Sequence, residues 1–409
     1  MKIGIDEVKQ IPSEVSNNVF GVCVYGEPSA RVSAWIDEHC FVTEKVGPYT
    51  NILVDKDISE VFVDDAPTFD YLDGFSPNLN KHLHIGHASN LVLAKAFQAL
   101  GAANDTVAIL GDTLTGEVSK EEALIMFNDY CTRFNYKVTH KIFFASEMKL
   151  DETDSPLFVD GYDDPNDKVS KVGTKVFVID GKQYVGIKSD GTTSYFYQDV
   201  AFGQALGRDS RNLIMTGSEQ GPHFAVLKLL FPKMHHIALG LVKANGVKMA
   251  SRKGNVIMFE EVLAMLMEQF GGDEKLCYNV LAGFILRSAP KSDKNIDLDT
   301  LSNPLNSPGL YLSYTLAKLK SAGVIDTWLD DKKDSFMSWD LQFAELKARK
   351  TLHPNVLFEA LVNHAKGIST MYQTHRIKDN EDNRMRFGFL LHDLLHGMKR
   401  LGMFDIDKV

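Results

Sequence analysis

The spacing of hydrophobic positions divides this chain of 409 residues into three regions. In residues 1–60, a short apolar run at 19–24 and one helical stretch near 30–40 predict a small mixed region. In residues 61–273, short apolar runs alternate with helical spacing, which is typical of an α/β sheet. From 274 to 409 the apolar positions recur at helical intervals, so we predict an α-helical domain.

The middle region contains apolar runs that predict buried strands, at 61–63, 107–110, 213–215 and 237–241. Between the first two runs, apolar residues recur at helical spacing from Ala88 to Leu100 and stop at Gly101. This order of strand, helix and strand has the length of a βαβ crossover. We therefore predict a Rossmann-like, doubly wound parallel sheet.

The alternation breaks between about 113 and 189, which we interpret as an insertion into the sheet. Within it, apolar runs at 175–179 and 183–187 flank Asp180 and Gly181, a dipeptide that favours a two-residue hairpin turn. The C-terminal region adds a predicted helix start and two long amphipathic helices, at Ser307-Pro308, 354–375 and 381–401.

The composition is that of a globular protein, because 44% of the residues are hydrophobic and 24% are charged. No apolar run approaches the ~20 residues that cross a bilayer, and the first residues lack a secretory pattern. The four cysteines lie far apart, which excludes a disulfide scaffold or a structural zinc site. We expect a cytoplasmic monomer that makes no membrane contact and holds no metal ion with its own side chains.

The net charge of −10 argues against a protein that coats nucleic acid without specificity. The charge is uneven, because residues 289–409 carry 17 basic and 16 acidic residues and are almost neutral. Two interpretations stay open: a solvated helical bundle, or a surface that meets a polyanion locally. Clustered cations suit the second interpretation, at Lys347, Arg349 and Lys350, at Arg376 and Lys378, and at Arg384 and Arg386.

Two histidines bracket a glycine at the start of the first sheet helix, in the segment His84-Ile85-Gly86-His87. The N-terminal end of a helix exposes backbone N–H groups and positive potential, where phosphates bind readily. Gly86 lacks the Cβ atom that would block the close approach of a nucleotide. Alone, the pair is also compatible with a metal site or a helix cap.

A basic loop occurs about 160 residues later, after a strand and the turn Asn245-Gly246. Its segment 248–255 contains Lys248, Arg252 and Lys253, flanked by small residues. Three cations on such a loop suit a triphosphate. The alternative is a solvated basic turn.

Together these two segments resemble the HIGH and KMSKS motifs of class I aminoacyl-tRNA synthetases. Four further segments resemble those of arginyl-tRNA synthetases, at 76–81, 188–199, 309–314 and 399–403. The resemblance runs from about 61 to 403. It implies a Rossmann-like catalytic domain, a helical anticodon-binding domain, and three substrates: L-arginine, ATP with Mg²⁺, and tRNA.

The resemblance also implies roles in handling ATP. His84 and His87 would stabilise the α-phosphate in the transition state, while Lys248 and Lys253 would hold the leaving pyrophosphate. Ser251 stands where the second motif has a lysine, a departure that Lys81 would compensate. The remaining ATP contacts would come from Gly86, Gly217, Met249 and Glu219, with Glu219 on the ribose.

For arginine, the resemblance assigns Asp199 and Tyr195 to the guanidinium group, whose five donors need matching acceptors. Asp73 stands where the family usually has glutamate and would be a second partner with a shorter reach. Ser76, Asn78 and Gln220 would contact the α-amino and carboxylate groups. The alternative for Asp199 is an acid that merely stabilises a helix N-terminus.

One departure from the family keeps two other functions open. Only about 60 residues precede the predicted catalytic region, and they match no tRNA-binding domain of the family. A paralogue that activates arginine or a related amino acid for another acceptor is therefore an alternative. So is a catalytically idle homologue that binds tRNA or protein, although intact His84, His87, Lys248 and Asp199 argue against it.

Overall fold

The structure is a computed structural model that describes most of the chain. It leaves out residues 12–20, 79–82, 113–118, 152–157, 166–168, 245–246, 249–256, 297–300, 302–305, 325–335, 337, 378–379 and 408. At 244, 247 and 248 the backbone alone is described. Within the described ranges, no helix combines the length and the apolar character that crossing a bilayer would require.

The N-terminal region folds into a small antiparallel sheet with helices packed against it. Its elements are β1 (Lys9–Gln10), β2 (Gly21–Tyr25), α1 (Ala30–His39), β3 (Val42–Val46), β4 (Tyr49–Leu53) and α2 (Ile58–Val61). The strands pair in the order β1-β2-β4-β3. Val22, Trp35 and Ile52 are fully buried in a core that is separate from that of the middle region. The predicted strand at 19–24 and helix near 30–40 are thus confirmed over the described residues.

The apolar run 61–63 belongs to this N-terminal region, so its assignment to the central sheet is wrong. Helix α2 ends at Val61, and Phe62 forms an isolated bridge with Ile3. The indole N–H of Trp35 donates to the Val61 carbonyl at 3.2 Å, and its ring contacts Phe62. The run is apolar because it is buried here, which periodicity alone does not distinguish from a strand.

The middle region contains two sheets. Its elements are β5 (Phe69–Asp73), α3 (Ile85–Ala99), β6 (Ala103–Leu110), α4 (Lys120–Arg133), β7 (Lys141–Phe144), β8 (Phe158–Asp160), β9 (Lys175–Ile179), β10 (Lys182–Ile187), α5 (Tyr195–Leu206), β11 (Asn212–Gly217), α6 (Gly221–Leu230) and β12 (His235–Leu239). Five strands pair in parallel in the order β12-β11-β5-β6-β7. This order confirms the doubly wound sheet, and strands β6, β11 and β12 confirm three of its predicted strands.

The expected insertion at 113–189 includes part of the main fold, because α4 connects β6 to β7, and β7 pairs with β6 in the parallel sheet. The part outside that sheet is the antiparallel sheet β10-β9-β8. Its hairpin turns at Asp180 and Gly181, which have φ angles of 49° and 74°. Two consecutive positive φ angles are what a type I′ turn requires, so the predicted hairpin is confirmed.

The chain ends in helices that pack on the central sheet. The elements are β13 (Val242–Ala244), β14 (Val247–Lys248), α7 (Phe259–Gln269), α8 (Glu274–Leu286), β15 (Lys294–Ile296), α9 (Pro308–Ser321), α10 (Trp339–Thr351), α11 (Pro354–Thr374) and α12 (Glu381–Arg400). Ser307 caps α9 as predicted, because its hydroxyl accepts the Leu310 N–H at 3.4 Å. The apolar faces of these helices share one hydrophobic core with α3. The bundle therefore supports the helix that begins at His84.

Two cations of α10 tie the N-terminal region to the bundle. Arg349 pairs with Asp64 at 2.8 Å, and Lys350 pairs with Asp6 at 2.7 Å and Asp65 at 2.8 Å. Because carboxylates pair with both cations in the structure, these pairs favour the first of the two interpretations, a solvated helical bundle, for Arg349 and Lys350.

The fold places a crevice at the junction of the two halves of the sheet. Strands β5 and β11 are parallel neighbours, with Leu213 opposite Leu72. From them the chain proceeds to β6 on one side and to β12 on the other. Ligands of doubly wound sheets bind outside the carboxyl ends of the strands at such a point. Asp73 ends β5 and Gly217 ends β11.

Candidate active site

A cavity of about 700 Å³ lies at these strand ends. It brings together nine of the residues expected at the site: Asp73, Ser76, Asn78, His87, Tyr195, Asp199, Gly217, Glu219 and Gln220. His84 and Gly86 form the start of α3 beside His87. Lys81, Met249 and Lys253 lie outside the described residues, and Lys248 is described only as backbone of β14. The sequence expectation for those four residues therefore stays a prediction.

The two histidines cap the helix that carries them. The Gly86 N–H donates to His84 Nδ1 at 3.1 Å, and the His84 N–H donates to His87 Nδ1 at 3.2 Å. Their rings are in contact and tilted by 32° to each other, with centroids 3.9 Å apart. A Cβ atom at position 86 would stand 2.7 Å from the His84 ring, so the cap requires glycine.

This geometry fixes which nitrogen of each ring carries the proton. Because Nδ1 accepts a backbone N–H in both rings, the proton of the neutral form stays on Nε2. Burial lowers the pKa of His84, and burial together with the neighbouring His84 lowers the pKa of His87 to about 3. Near neutral pH both histidines are therefore uncharged donors, with Nε2–H free of the capping contacts.

The end of the basic loop is joined to the first motif by backbone hydrogen bonds. Ile85 N–H donates to the Ile257 carbonyl at 3.1 Å, and Phe259 N–H donates to the Leu83 carbonyl at 2.8 Å. His84 and Met258 thereby form an antiparallel bridge. The segment 249–256 is outside the described residues, but the residues that follow it lie against the start of α3.

Asp73 is an acid buried at the end of β5. The Ser76 hydroxyl donates to its Oδ1, and the Ile109 N–H donates to Ser76 Oγ at 2.9 Å. Burial raises the pKa of Asp73 to about 7, against the lowering effect of the Ser76 hydrogen bond, and the nearby Asp199 raises it further. A bound cation would reverse this shift, because it stabilises the carboxylate.

Two polar groups of the cavity are held ready by the backbone around them. Asn78 Oδ1 is buried and has no hydrogen-bond partner among the described residues, so it is an acceptor prepared for a donor. The Glu219 carboxylate folds over Gly217, where a Cβ atom would stand 2.3 Å from Oε1. The glycine therefore allows Glu219 to lie across the end of β11.

Asp199 and Tyr195 lie one turn apart on α5, which Ser194 caps by accepting the Tyr197 N–H at 3.1 Å. The first turn of α5 contains no acidic residue, so Asp199 is too far along the helix to act as a terminal acid. The structure therefore disfavours the alternative interpretation of this residue.

Sequence reasoning missed His223, which also lines the cavity. Its Nε2 lies 2.6 Å from Asp199 Oδ2. The available signal was its position, because it follows Gln220 by three residues and lies in the first turn of α6, directly after the turn that carries Glu219 and Gln220.

Comparison with curated proteins finds arginine–tRNA ligases. The ligase of Limosilactobacillus reuteri is 26% identical over 234 residues, which cover 48% of this chain and 42% of the ligase. That of Streptococcus pyogenes serotype M4 is 25% identical over 255 residues, which cover 52% and 45%. The aligned region is thus less than half the length of either relative. No family model matches the chain.

Solved structures of arginyl-tRNA synthetases share the fold. The Thermus thermophilus enzyme superimposes with a TM-score of 0.63 at 16% identity, over 98% of this chain and 96% of that one. The Plasmodium falciparum enzyme gives 0.57 at 15% identity, over 96% of each chain. Together with the curated relatives, these structures confirm the resemblance to the arginyl-tRNA synthetase family.

Proposed function

From this likeness we propose that the protein activates L-arginine with ATP and transfers the arginyl group to tRNA. One observation carries the proposal: a single cavity contains the acids Asp73 and Asp199 together with the uncharged donor His87. Carboxylates are the acceptors that a guanidinium group prefers. An Nε2–H donor suits the oxygens of a reacting phosphate.

In the proposed first step, an oxygen of the arginine carboxylate attacks the α-phosphorus of ATP and pyrophosphate leaves. His84 and His87 donate Nε2–H to phosphate oxygens on which negative charge grows, while Asp73, Asp199 and Tyr195 hold the guanidinium group. Such a reaction depends on positioning and charge stabilisation more than on covalent help from the protein. The buried Asn78 Oδ1, which lacks a partner among the described residues, supports a contact with the α-amino group.

ATP is a substrate in this proposal, and we propose that Mg²⁺ arrives with it. Among the described residues, no three potential ligands from His, Cys, Asp and Glu lie together. In this proposal the ion is bound mainly by the phosphates of ATP and by water, as Mg²⁺ commonly is. Lys81, Lys248 and Lys253 keep their proposed role at the phosphates.

The acceptor in the second step is tRNA, whose terminal adenosine hydroxyl attacks the arginyl carbonyl and releases AMP. Arg384 and Arg386 are exposed on α12 and remain candidates for phosphate contacts, unlike the paired Arg349 and Lys350. We propose that the protein acts in the cytoplasm as a monomer.

The test is aminoacylation of total tRNA with each of the twenty amino acids, with ATP and Mg²⁺ present. We expect charging with arginine alone. Charging with lysine or glutamine instead would overturn the specificity. Formation of arginyl-adenylate without any transfer to tRNA would favour a ligase with another acceptor, and an absence of both reactions would favour the idle homologue.

A further inference from the structure

We infer that His223 is a positioning residue for arginine, which holds the Asp199 carboxylate in the orientation that receives the guanidinium group. The inference rests on the proposed function and adds to it a determinant of affinity and selectivity. It depends on three features of the described residues: one hydrogen bond, the packing of the imidazole ring, and the location of both side chains in the cavity.

The hydrogen bond joins two different helices. His223 Nε2 lies 2.6 Å from Asp199 Oδ2, a short distance that is typical of a bond to a charged acceptor. Asp199 is in the second turn of α5, whereas His223 is in the first turn of α6. The side chains keep 24% and 31% of their surface exposed, so the pair faces the cavity rather than the core.

Aromatic neighbours hold the imidazole ring in place. The Phe196 ring meets it edge-on, with centroids 5.5 Å apart, and the Phe224 ring does so at 5.4 Å. Phe196 and Phe224 are both buried. A ring fixed on two sides presents its Nε2 atom in one direction, and the carboxylate that it binds loses its freedom to rotate.

That restriction matters for a guanidinium ligand in particular. A carboxylate has about four lone-pair positions, and one hydrogen bond to Oδ2 leaves the others for a planar fork. The fork binds both oxygens only when the plane of the carboxylate matches its own plane, whereas an ammonium group makes no such demand. Fixing the plane of Asp199 thus favours arginine over lysine before the ligand arrives.

Other titratable groups near the pair have different partners. Asp73 accepts a hydrogen bond from the Ser76 hydroxyl, and the Glu219 carboxylate folds over Gly217. His236 Nε2 lies 2.8 Å from the Thr216 hydroxyl. The assignment to His223 therefore follows from a direct contact with Asp199.

The test compares His223→Leu with His223→Gln in arginine-dependent ATP–pyrophosphate exchange with tRNA present, and in calorimetric titration with arginine alone. Leucine keeps bulk without a donor, whereas the glutamine Nε2 can replace the imidazole donor. We expect His223→Leu to raise the arginine KM and Kd roughly 10-fold, with kcat and the ATP KM within about 2-fold of wild type. His223→Gln should restore most of the affinity.

The control is His235→Leu, a change at the start of β12 outside the residues that line the cavity, and it should leave arginine affinity unchanged. In an Asp199→Asn background, His223→Leu should add little, because the carboxylate that it positions is gone. Wild-type arginine affinity in His223→Leu would overturn the inference but not the proposed function. So would a loss of affinity that is equally large when His223→Leu is added to Asp199→Asn. A wild-type protein that neither binds nor activates arginine would overturn the proposed function along with it.

Discussion

Burial shifts the pKa values of the two histidines at the start of α3 and of Asp73 at the end of β5 in opposite directions. At the start of α3, burial lowers the pKa values of His84 and His87, so the protein supplies neutral donors. At the end of β5, burial raises the pKa of Asp73 to about 7, so a carboxylate there is only half formed at neutral pH. In both places desolvation removes charge from the protein.

The two sites differ in the charge that the proposed substrates would bring to them. In the proposed reaction, a neutral histidine needs no counter-ion before ATP binds, and it would donate most strongly when phosphate charge grows in the transition state. A half-protonated Asp73 becomes a full carboxylate when a cation binds beside it. The first group is thus suited to rate and the second to selectivity, and substitutions should separate the two.

His87→Ala should have the largest effect, because it removes a donor to the transition state. Loss of one such contact costs about 2.7–4 kcal/mol, or 10²–10³ in kcat, with little change in the arginine KM. ATP–pyrophosphate exchange with tRNA present measures both constants. His87→Asn is the matched control, because its Oδ1 can still accept the His84 N–H while the Nε2–H donor is lost. Normal turnover in either variant would contradict the role of His87.

Asp199→Asn should affect selectivity instead. It replaces a charged acceptor with a neutral one, which weakens a guanidinium contact by about 1.5–3 kcal/mol. We expect kcat/KM for arginine to fall about 10–100-fold, mainly through KM. Asp209→Asn, at an exposed aspartate in the turn after α5, is the control and should behave as wild type. A fall confined to kcat would contradict this prediction, because it would give Asp199 a role in the transition state like that proposed for the histidines.

Lys95→Met should have the smallest effect. It should change stability alone, because Lys95 is buried outside the residues that line the cavity. Lys95 Nζ lies 3.7 Å from the Phe404 ring centroid, and burial lowers its pKa to about 7. Between about pH 7 and 10 the unfolded chain binds more protons than the native one, so native stability rises with pH. Below pH 7 the native state bears the full burial cost.

Urea unfolding should therefore show that Lys95→Met stabilises the protein by about 1 kcal/mol at pH 6 and by less at pH 9. Cation–π contacts with Phe404 and Tyr278 offset part of the gain. A larger gain at pH 9 than at pH 6 would show that the burial argument has the wrong sign.

Local signals predicted much of the fold. The hairpin at Asp180-Gly181, the cap at Ser307 and the strand at 107–110 each depend on neighbours in sequence, and each is present. The run 61–63 misled because burial makes a segment apolar in any secondary structure. The place of β7 in the main sheet depends on its pairing with β6, for which periodicity gives no signal.

The part of the site that belongs to sequence motifs was predictable. Motifs supplied Asp73, His87 and Asp199, which the fold brings to one cavity. Motif matching does not report contacts between segments that lie apart in sequence, which explains why the Asp199–His223 bond was missed. The same holds for the pairing of Lys350 with Asp6, which lies 344 positions away in sequence.

Calorimetric titration with arginine at pH 7, in buffers of different ionisation enthalpy, tests the guanidinium site most directly. Because Asp73 has a pKa of about 7, arginine binding should release roughly half a proton, and affinity should rise with pH up to that value and then level off. Asp73→Asn should abolish the release, and citrulline, which is neutral and has nearly the same shape, should bind far more weakly. Citrulline binding as tight as that of arginine, with no proton released, would contradict the account.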